Sequence, residues 1–104
     1  MSLTEMTFFE RFETDILSGK KTITIRDELE KDYSINAIVQ VSTYETSRWF
    51  CAVKIIKVVP ILLTDLNSFH AKQENMSLKE LKSVIEEIYP GIESLYVISY
   101  ELQN

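Results

Sequence analysis

The segment Lys20-Lys21-Thr22-Ile23-Thr24-Ile25-Arg26-Asp27 constrains the fold more than any other stretch of the chain. It follows a helix-ending Gly19 and alternates strictly from Thr22 onward, the period of a β-strand with two unlike faces. Ile23 and Ile25 fall on one side; Thr22, Thr24 and Arg26 fall on the other. One face suits a core, while the opposite face carries two hydroxyls and a guanidinium. The chain is acidic, with a formal net charge of −5, yet three of its eleven Lys and Arg residues lie in this segment. That local reversal of charge marks a candidate site.

The remaining sequence narrows the function classes. A chain of 104 residues is expected to form one domain, residues 1–104, able to bury roughly two-thirds of its unfolded surface without disulfides or metals. No apolar run approaches the ~18 residues of a membrane span, and Met1-Ser2-Leu3-Thr4-Glu5 does not resemble a signal peptide. A soluble, cytoplasmic, monomeric protein is the expectation. Cys51 is the one cysteine and sits in the apolar run Trp49-Phe50-Cys51-Ala52-Val53, which suits an inert buried thiol better than a nucleophile. With His70 the one histidine, no histidine-rich zinc site fits a single chain, and neither metal nor cofactor is expected. The acidic charge disfavours broad attraction to nucleic acid but leaves room for a small neutral ligand such as a nucleoside.

Several elements can be placed along the chain. Thr7-Phe8-Phe9-Glu10 has the form of a capping box, and Phe9, Phe12 and Ile16 follow at helical spacing until Gly19. This predicts a first helix beginning at Thr7. The charged connector Glu28-Leu29-Glu30-Lys31-Asp32 reads as a solvated loop. Residues 37–44 alternate as a strand, Glu45-Thr46-Ser47-Arg48 forms a hairpin turn, and residues 49–59 form a long β-branched strand broken near Pro60. Thr64 or Asp65 is expected to cap a short helix that packs inward through Leu66 and Phe69. Its face carries His70, Gln73 and Glu74 toward the interior or a pocket lip, unless Glu74-Asn75 is a frayed, solvated end. Ser77-Leu78-Lys79-Glu80 is a second capping box, opening a helix with a Leu78, Leu81, Ile85, Ile88 stripe that Pro90-Gly91 ends. Residues 95–102 alternate as a last strand. Two main helices, one short helix and at least four strands make an α+β domain.

Chemistry can be sought among these residues. A threonine hydroxyl is a weak nucleophile unless a base takes its proton, and lysine is a known partner in such pairs. Lys21 and Thr24 are three apart, which in a regular strand means opposite faces. A dyad therefore requires Lys21 to sit in the turn after Gly19, outside the strand. Lysine must also be kept neutral, which at an ordinary pKa of about 10.4 costs roughly 4.6 kcal/mol at neutral pH. Burial and neighbouring positive charge from Lys20 or Arg26 act in that direction. Glu74 is a candidate general acid for a leaving group. On residue types alone, a surface lysine and a structural strand threonine remain the commoner explanation.

Taken together, Gly19 to Asp27, His70-Ala71-Lys72-Gln73-Glu74-Asn75-Met76 and Ile88-Tyr89-Pro90-Gly91 resemble the small ASCH-domain proteins of the YqfB type. The resemblance runs from about Met6 to the C-terminus, with Lys20 where an arginine is expected. It implies a PUA-like small β-barrel with helices packed around it, a single ASCH domain with its core over about residues 6–102. It also implies an activity, hydrolysis of the N4-acetyl amide of N4-acetylcytidine to cytidine and acetate, without a metal. The positions matching the family's proton acceptor, nucleophile and proton donor are Lys21, Thr24 and Glu74. Arg26, His70 and Gln73 are supporting candidates: Arg26 for the oxyanion or the cytosine carbonyl, His70 for orienting Glu74. The alternatives are a non-catalytic RNA-binding module and a nucleoside sensor of the same fold. The first would bind RNA in a strongly salt-dependent way, and neither would turn over acetylcytidine.

Overall fold

A computed structural model describes residues 3–103; Met1 and Ser2 of the signal-peptide reading lie outside the described residues, as does Asn104. The strands are β1 (Glu5–Phe8), β2 (Ile23–Arg26), β3 (Ile38–Thr43), β4 (Trp49–Leu62) and β5 (Ser94–Gln103). The helices are α1 (Glu13–Leu17), α2 (Ser68–Gln73) and α3 (Leu78–Ile88). The strands form one mixed sheet in the order β1-β3-β4-β5-β2. β1 runs parallel to β3, and the other neighbours are antiparallel. The result is an α+β, barrel-like domain whose sheet is not closed by strand pairing: β1 and β2 stand at the two ends of the order. They nevertheless approach each other, because an Arg26 terminal amine on β2 donates to the Thr7 carbonyl of β1 at 2.7 Å.

Two hydrophobic clusters hold the domain. Met6, Phe8, Phe12 and Ile16 pack with Val39, Val41, Val53, Ile55, Ile98 and Tyr100. Leu66, Ala71, Leu81, Ile85 and Leu95 form the second cluster, with Ile25 packed against it. β5 serves both, because Leu95 and Ile98 differ by an odd number of positions and so project to opposite faces.

Several expectations need correction. Thr7 does not cap a helix. Residues 5–8 alternate exposed and buried as a strand, and the first helical turn is a short 3-10 segment, Glu10–Phe12, ahead of the five-residue α1. Phe12 and Ile16 keep their helical spacing into the core, but Phe8 reaches it from β1 and Phe9 is 43% exposed. The chain thus has one long helix, α3, and two short ones, rather than two main helices. α2 is capped by Asn67, not by Thr64 or Asp65, and Phe69 points outward. β4 does not break at Pro60 but continues to Leu62. β3 pairs with β4 only as far as Lys54, so Pro60 lies where β4 has β5 on one side and an open edge on the other. A missing N–H is tolerated there.

The strand at the N-terminus separates Phe8 from Phe9 experimentally. Phe8→Ala is expected to lower the unfolding free energy by about 3–5 kcal/mol, and Phe9→Ala by less than about 1 kcal/mol. Urea unfolding of the two variants checks this, and equal losses would restore the helical reading.

Candidate active site

Two helix C-termini deliver the central pair of side chains. α1 ends with Gly19 in the left-handed region at φ 81°. Lys20 N–H donates to the Asp15 carbonyl and Gly19 N–H to that of Ile16, the two bonds of a Schellman cap. Lys21 N–H also donates to Asp15, at 3.0 Å, so Lys21 is held in the turn before β2 begins at Ile23. The geometric demand on Lys21 is therefore met: it lies outside the strand's alternation.

α2 ends in the same way, with Asn75 at φ 60° in the position Gly19 holds in α1. Met76 N–H donates to Ala71 and Asn75 N–H to Lys72, which fixes Glu74 as the last residue before the chain turns. The neighbouring Gln73 side-chain oxygen accepts the Thr22 N–H at 2.7 Å and ties this helix end to the entry of β2. Lys21 Nζ then donates to Glu74 Oε1 at 2.7 Å across a sequence separation of 53.

The lysine of this pair is buried and the glutamate largely so. Lys21 is 2% exposed and the Glu74 side chain 14% exposed. The Lys21 ammonium lies 4.9 Å from the centroid of the Phe12 ring and 5.9 Å from that of Phe8. Burial holds the Lys21 pKa below its ordinary value, Glu74 opposes that shift, and the charge on Arg26 adds to it. A buried ion pair is a poor device for stability, because desolvation offsets most of the attraction. A lysine made easier to deprotonate beside a carboxyl group is, by contrast, a common arrangement for moving protons.

Thr24 sits on β2, 5% exposed. Its Oγ1 accepts from Arg26 Nε–H at 3.0 Å, the two residues sharing the face read from the alternation. Arg26 also donates to Glu30 Oε2 at 2.8 Å. Thr24, Arg26, Glu30 and Glu74 line a cavity of about 500 Å³, walled by Phe8 and Phe12 on one side and by Leu81 and Ile85 of α3 on the other. The cavity thus opens between the two cores, beside the seam where β1 and β2 approach without pairing. Lys21 lies behind this lining and, among the described residues, has no hydrogen bond to Thr24.

His70 is buried, as the helix face predicts, but its ring does not meet Glu74. Its Nδ1 accepts the Asn67 N–H at 3.1 Å, closing the capping box of α2. Burial lowers its pKa and favours the neutral ring that this acceptor role needs. Its ring makes no hydrogen bond to the Glu74 carboxyl group among the described residues; the two residues are joined through the backbone, Glu74 N–H donating to the His70 carbonyl at 3.2 Å. Glu30, by contrast, was hidden in a connector read as solvated. Its signal was the spacing of four from Arg26 (i, i+4), recognisable only once residues 28–30 are known to form a 3-10 turn. Among the described residues, no group of three or more His, Cys, Asp or Glu is placed to hold a metal ion.

No protein-family model matches the chain. An N(4)-acetylcytidine amidohydrolase of Vibrio atlanticus (strain LGP32) is 68% identical over 99 residues, covering 95% of each chain. One of Shewanella sp. (strain W3-18-1) is 60% identical over 100 residues, 96% of this chain and 97% of that one. The chain belongs to that family. Among solved structures, an ASCH domain from Lactobacillus crispatus JV V101 aligns with a TM-score of 0.78 at 12% identity, over 97% of this chain and 79% of that one. An ASCH protein from Zymomonas mobilis gives a TM-score of 0.66 at 16% identity, over 96% of this chain and 66% of that one. The amidohydrolase family member described here therefore has an ASCH fold.

The lowered Lys21 pKa has a measurable consequence. Between its folded value and about 10.4, the unfolded chain holds the Lys21 proton and the folded chain does not, so this residue's contribution to stability rises with pH. The unfolding free energy of the wild type minus that of Lys21→Met should increase toward alkaline pH in urea titrations. A difference that stays flat would contradict the shift.

Proposed function

We propose that this chain hydrolyses the N4-acetyl amide of N4-acetylcytidine to cytidine and acetate, with Thr24 as nucleophile, Lys21 as proton acceptor and Glu74 as proton donor. The observation that carries the reading is the buried Lys21–Glu74 contact of 2.7 Å, its carboxyl group lining the same cavity as the Thr24 hydroxyl. The curated relatives carry the name of this activity.

The pair explains how a lysine can act as a base without a change in the site's total charge. Ammonium with carboxylate, and amine with carboxylic acid, differ only in the position of one proton. Burial lowers the Lys21 pKa and so favours its amine, ready to accept a proton. The proton that Lys21 passes to Glu74 across the 2.7 Å contact is the one available to a leaving group. Taking the Thr24 proton requires Lys21 to turn from Glu74 toward Oγ1, a motion its flexible side chain permits; catalytic contacts often tighten only when substrate is bound.

Thr24 Oγ1 then attacks the acetyl carbonyl. Arg26, permanently charged, stabilises the negative charge on the reacting oxygens. Glu74 protonates N4 as the C–N bond breaks, so cytidine leaves as a neutral molecule. The pair is now ammonium and carboxylate, and proton transfer between them restores the amine and the acid. Lys21 takes a proton from water, the resulting hydroxide attacks the Thr24 ester, and Lys21 returns that proton to Oγ1 as acetic acid departs and ionises to acetate in solvent.

Turnover of N4-acetylcytidine, followed by chromatography of cytidine, tests the assignment. Lys21→Met and Glu74→Ala are expected to lower kcat by about 10²–10⁴-fold, and Thr24→Ala by about 10⁴-fold or more. Retention of wild-type kcat by Thr24→Ala would remove the nucleophile.

A further inference from the structure

The Arg26 guanidinium is held at three points. Nε–H donates to Thr24 Oγ1 at 3.0 Å, one terminal amine to Glu30 Oε2 at 2.8 Å, and the other to the Thr7 carbonyl at 2.7 Å. Thr7 contributes through its backbone in β1, and Thr24 stands two residues back on Arg26's own strand. Glu30 is the partner whose place depends on a separate element. It closes the 3-10 turn Glu28–Glu30, whose start is tied by the Asp27 carboxylate accepting from Leu29 N–H at 3.1 Å.

A guanidinium is a rigid planar fork, so fixing its two terminal amines fixes the direction of Nε–H. We infer that Glu30 is a positioning residue of this active site, acting through Arg26 to hold the Thr24 hydroxyl in the geometry for attack. The inference rests on the nucleophile reading given above. A threonine oxygen has one proton and two lone pairs. With Arg26 Nε–H on one lone pair, the proton points away from the guanidinium, toward an acceptor, and the second lone pair is left for the carbonyl carbon. As the proton leaves, the fixed charge of Arg26 is already in place.

The Glu30 side chain is 45% exposed, and an ion pair this open contributes little to stability. A purely structural role therefore predicts little change in either kcat or Tm on its removal. A positioning role predicts a loss in kcat, because small displacements of a reacting group are costly in rate.

The test is a double-mutant cycle with Arg26→Ala, Glu30→Ala and the double variant, each assayed for N4-acetylcytidine turnover beside wild type and Thr24→Ala. Glu30→Ala is expected to lower kcat about 10–100-fold with KM within about twofold, at nearly unchanged Tm. In the Arg26→Ala background the same change should cost nothing further. Glu30→Gln, which keeps an acceptor in place, should recover most of the rate. Unchanged kcat in Glu30→Ala, independent losses that multiply in the double variant, or a rise in KM alone would each overturn the inference.

A second readout needs no turnover. Solvent exchange of the Arg26 Nε–H, followed by NMR, should be slow in wild type and fast in Glu30→Ala; equal rates would contradict the clamp. An inactive wild type would defeat the functional reading and this role with it. An active wild type with inactive Thr24→Ala and fully active Glu30→Ala would defeat the role of Glu30 alone.

Discussion

Everything at this site depends on one buried contact, a lysine amine against a glutamate carboxyl group, with the aromatic rings of Phe8 and Phe12 beside it. In water such a pair is ammonium and carboxylate. Under these rings burial lowers the Lys21 pKa and makes its proton easier to give up, with the Glu74 carboxyl group as its hydrogen-bond partner. A contact this deeply placed adds little to stability, since apolar side chains of similar volume would serve as well.

Building that contact is a problem of chain geometry, solved by the same device at both ends. Gly19 and Asn75 each adopt a left-handed conformation and close the helix before them with the same two hydrogen bonds. The turns place Lys21 just ahead of β2 and Glu74 just ahead of α3. The Gln73 side chain then binds the Thr22 backbone, so that the two turns are fixed to each other. A third fixed element is the open seam of the sheet. Because β1 and β2 do not pair, the space between them becomes the cavity, and Arg26 spans it from β2 to the Thr7 carbonyl. An unclosed barrel thus leaves the Thr24 side chain, which lies between two cores, on the wall of an open cavity.

The extent to which this was legible in the sequence follows the range of each signal. β2 was readable because its alternation is local, and so was the Ser77–Glu80 capping box that opens α3. β1 was not readable. Thr7 and Glu10 imitate a capping box, and Phe9 falls at helical spacing from Phe12 and Ile16, which do form a buried helical pair. The deciding interaction is parallel pairing with β3, in which Glu5 lies opposite Gln40 and Phe8 opposite Thr43. Local periodicity carries no trace of a partner that far away. The start of α2 was misplaced for a related reason: Asn67 caps it with the help of His70, a less familiar N3 partner than glutamate. Lys21, Thr24 and Glu74 stand out in the sequence through a family resemblance and through their chemistry. Their spacing alone did not bring Glu74 to Lys21; that needed both left-handed turns.

The central claim is that the acetyl group passes through the Thr24 oxygen before it reaches water. Partitioning between water and hydroxylamine tests this most directly, with N4-acetylcytidine and N4-acetylcytosine as alternative donors. A common acyl-enzyme forgets its leaving group, so the ratio of acetohydroxamate to acetate should be the same for both donors at each hydroxylamine concentration. A ratio that changes with the donor would mean that the nucleophile attacks while the leaving group is still attached, and would contradict the account.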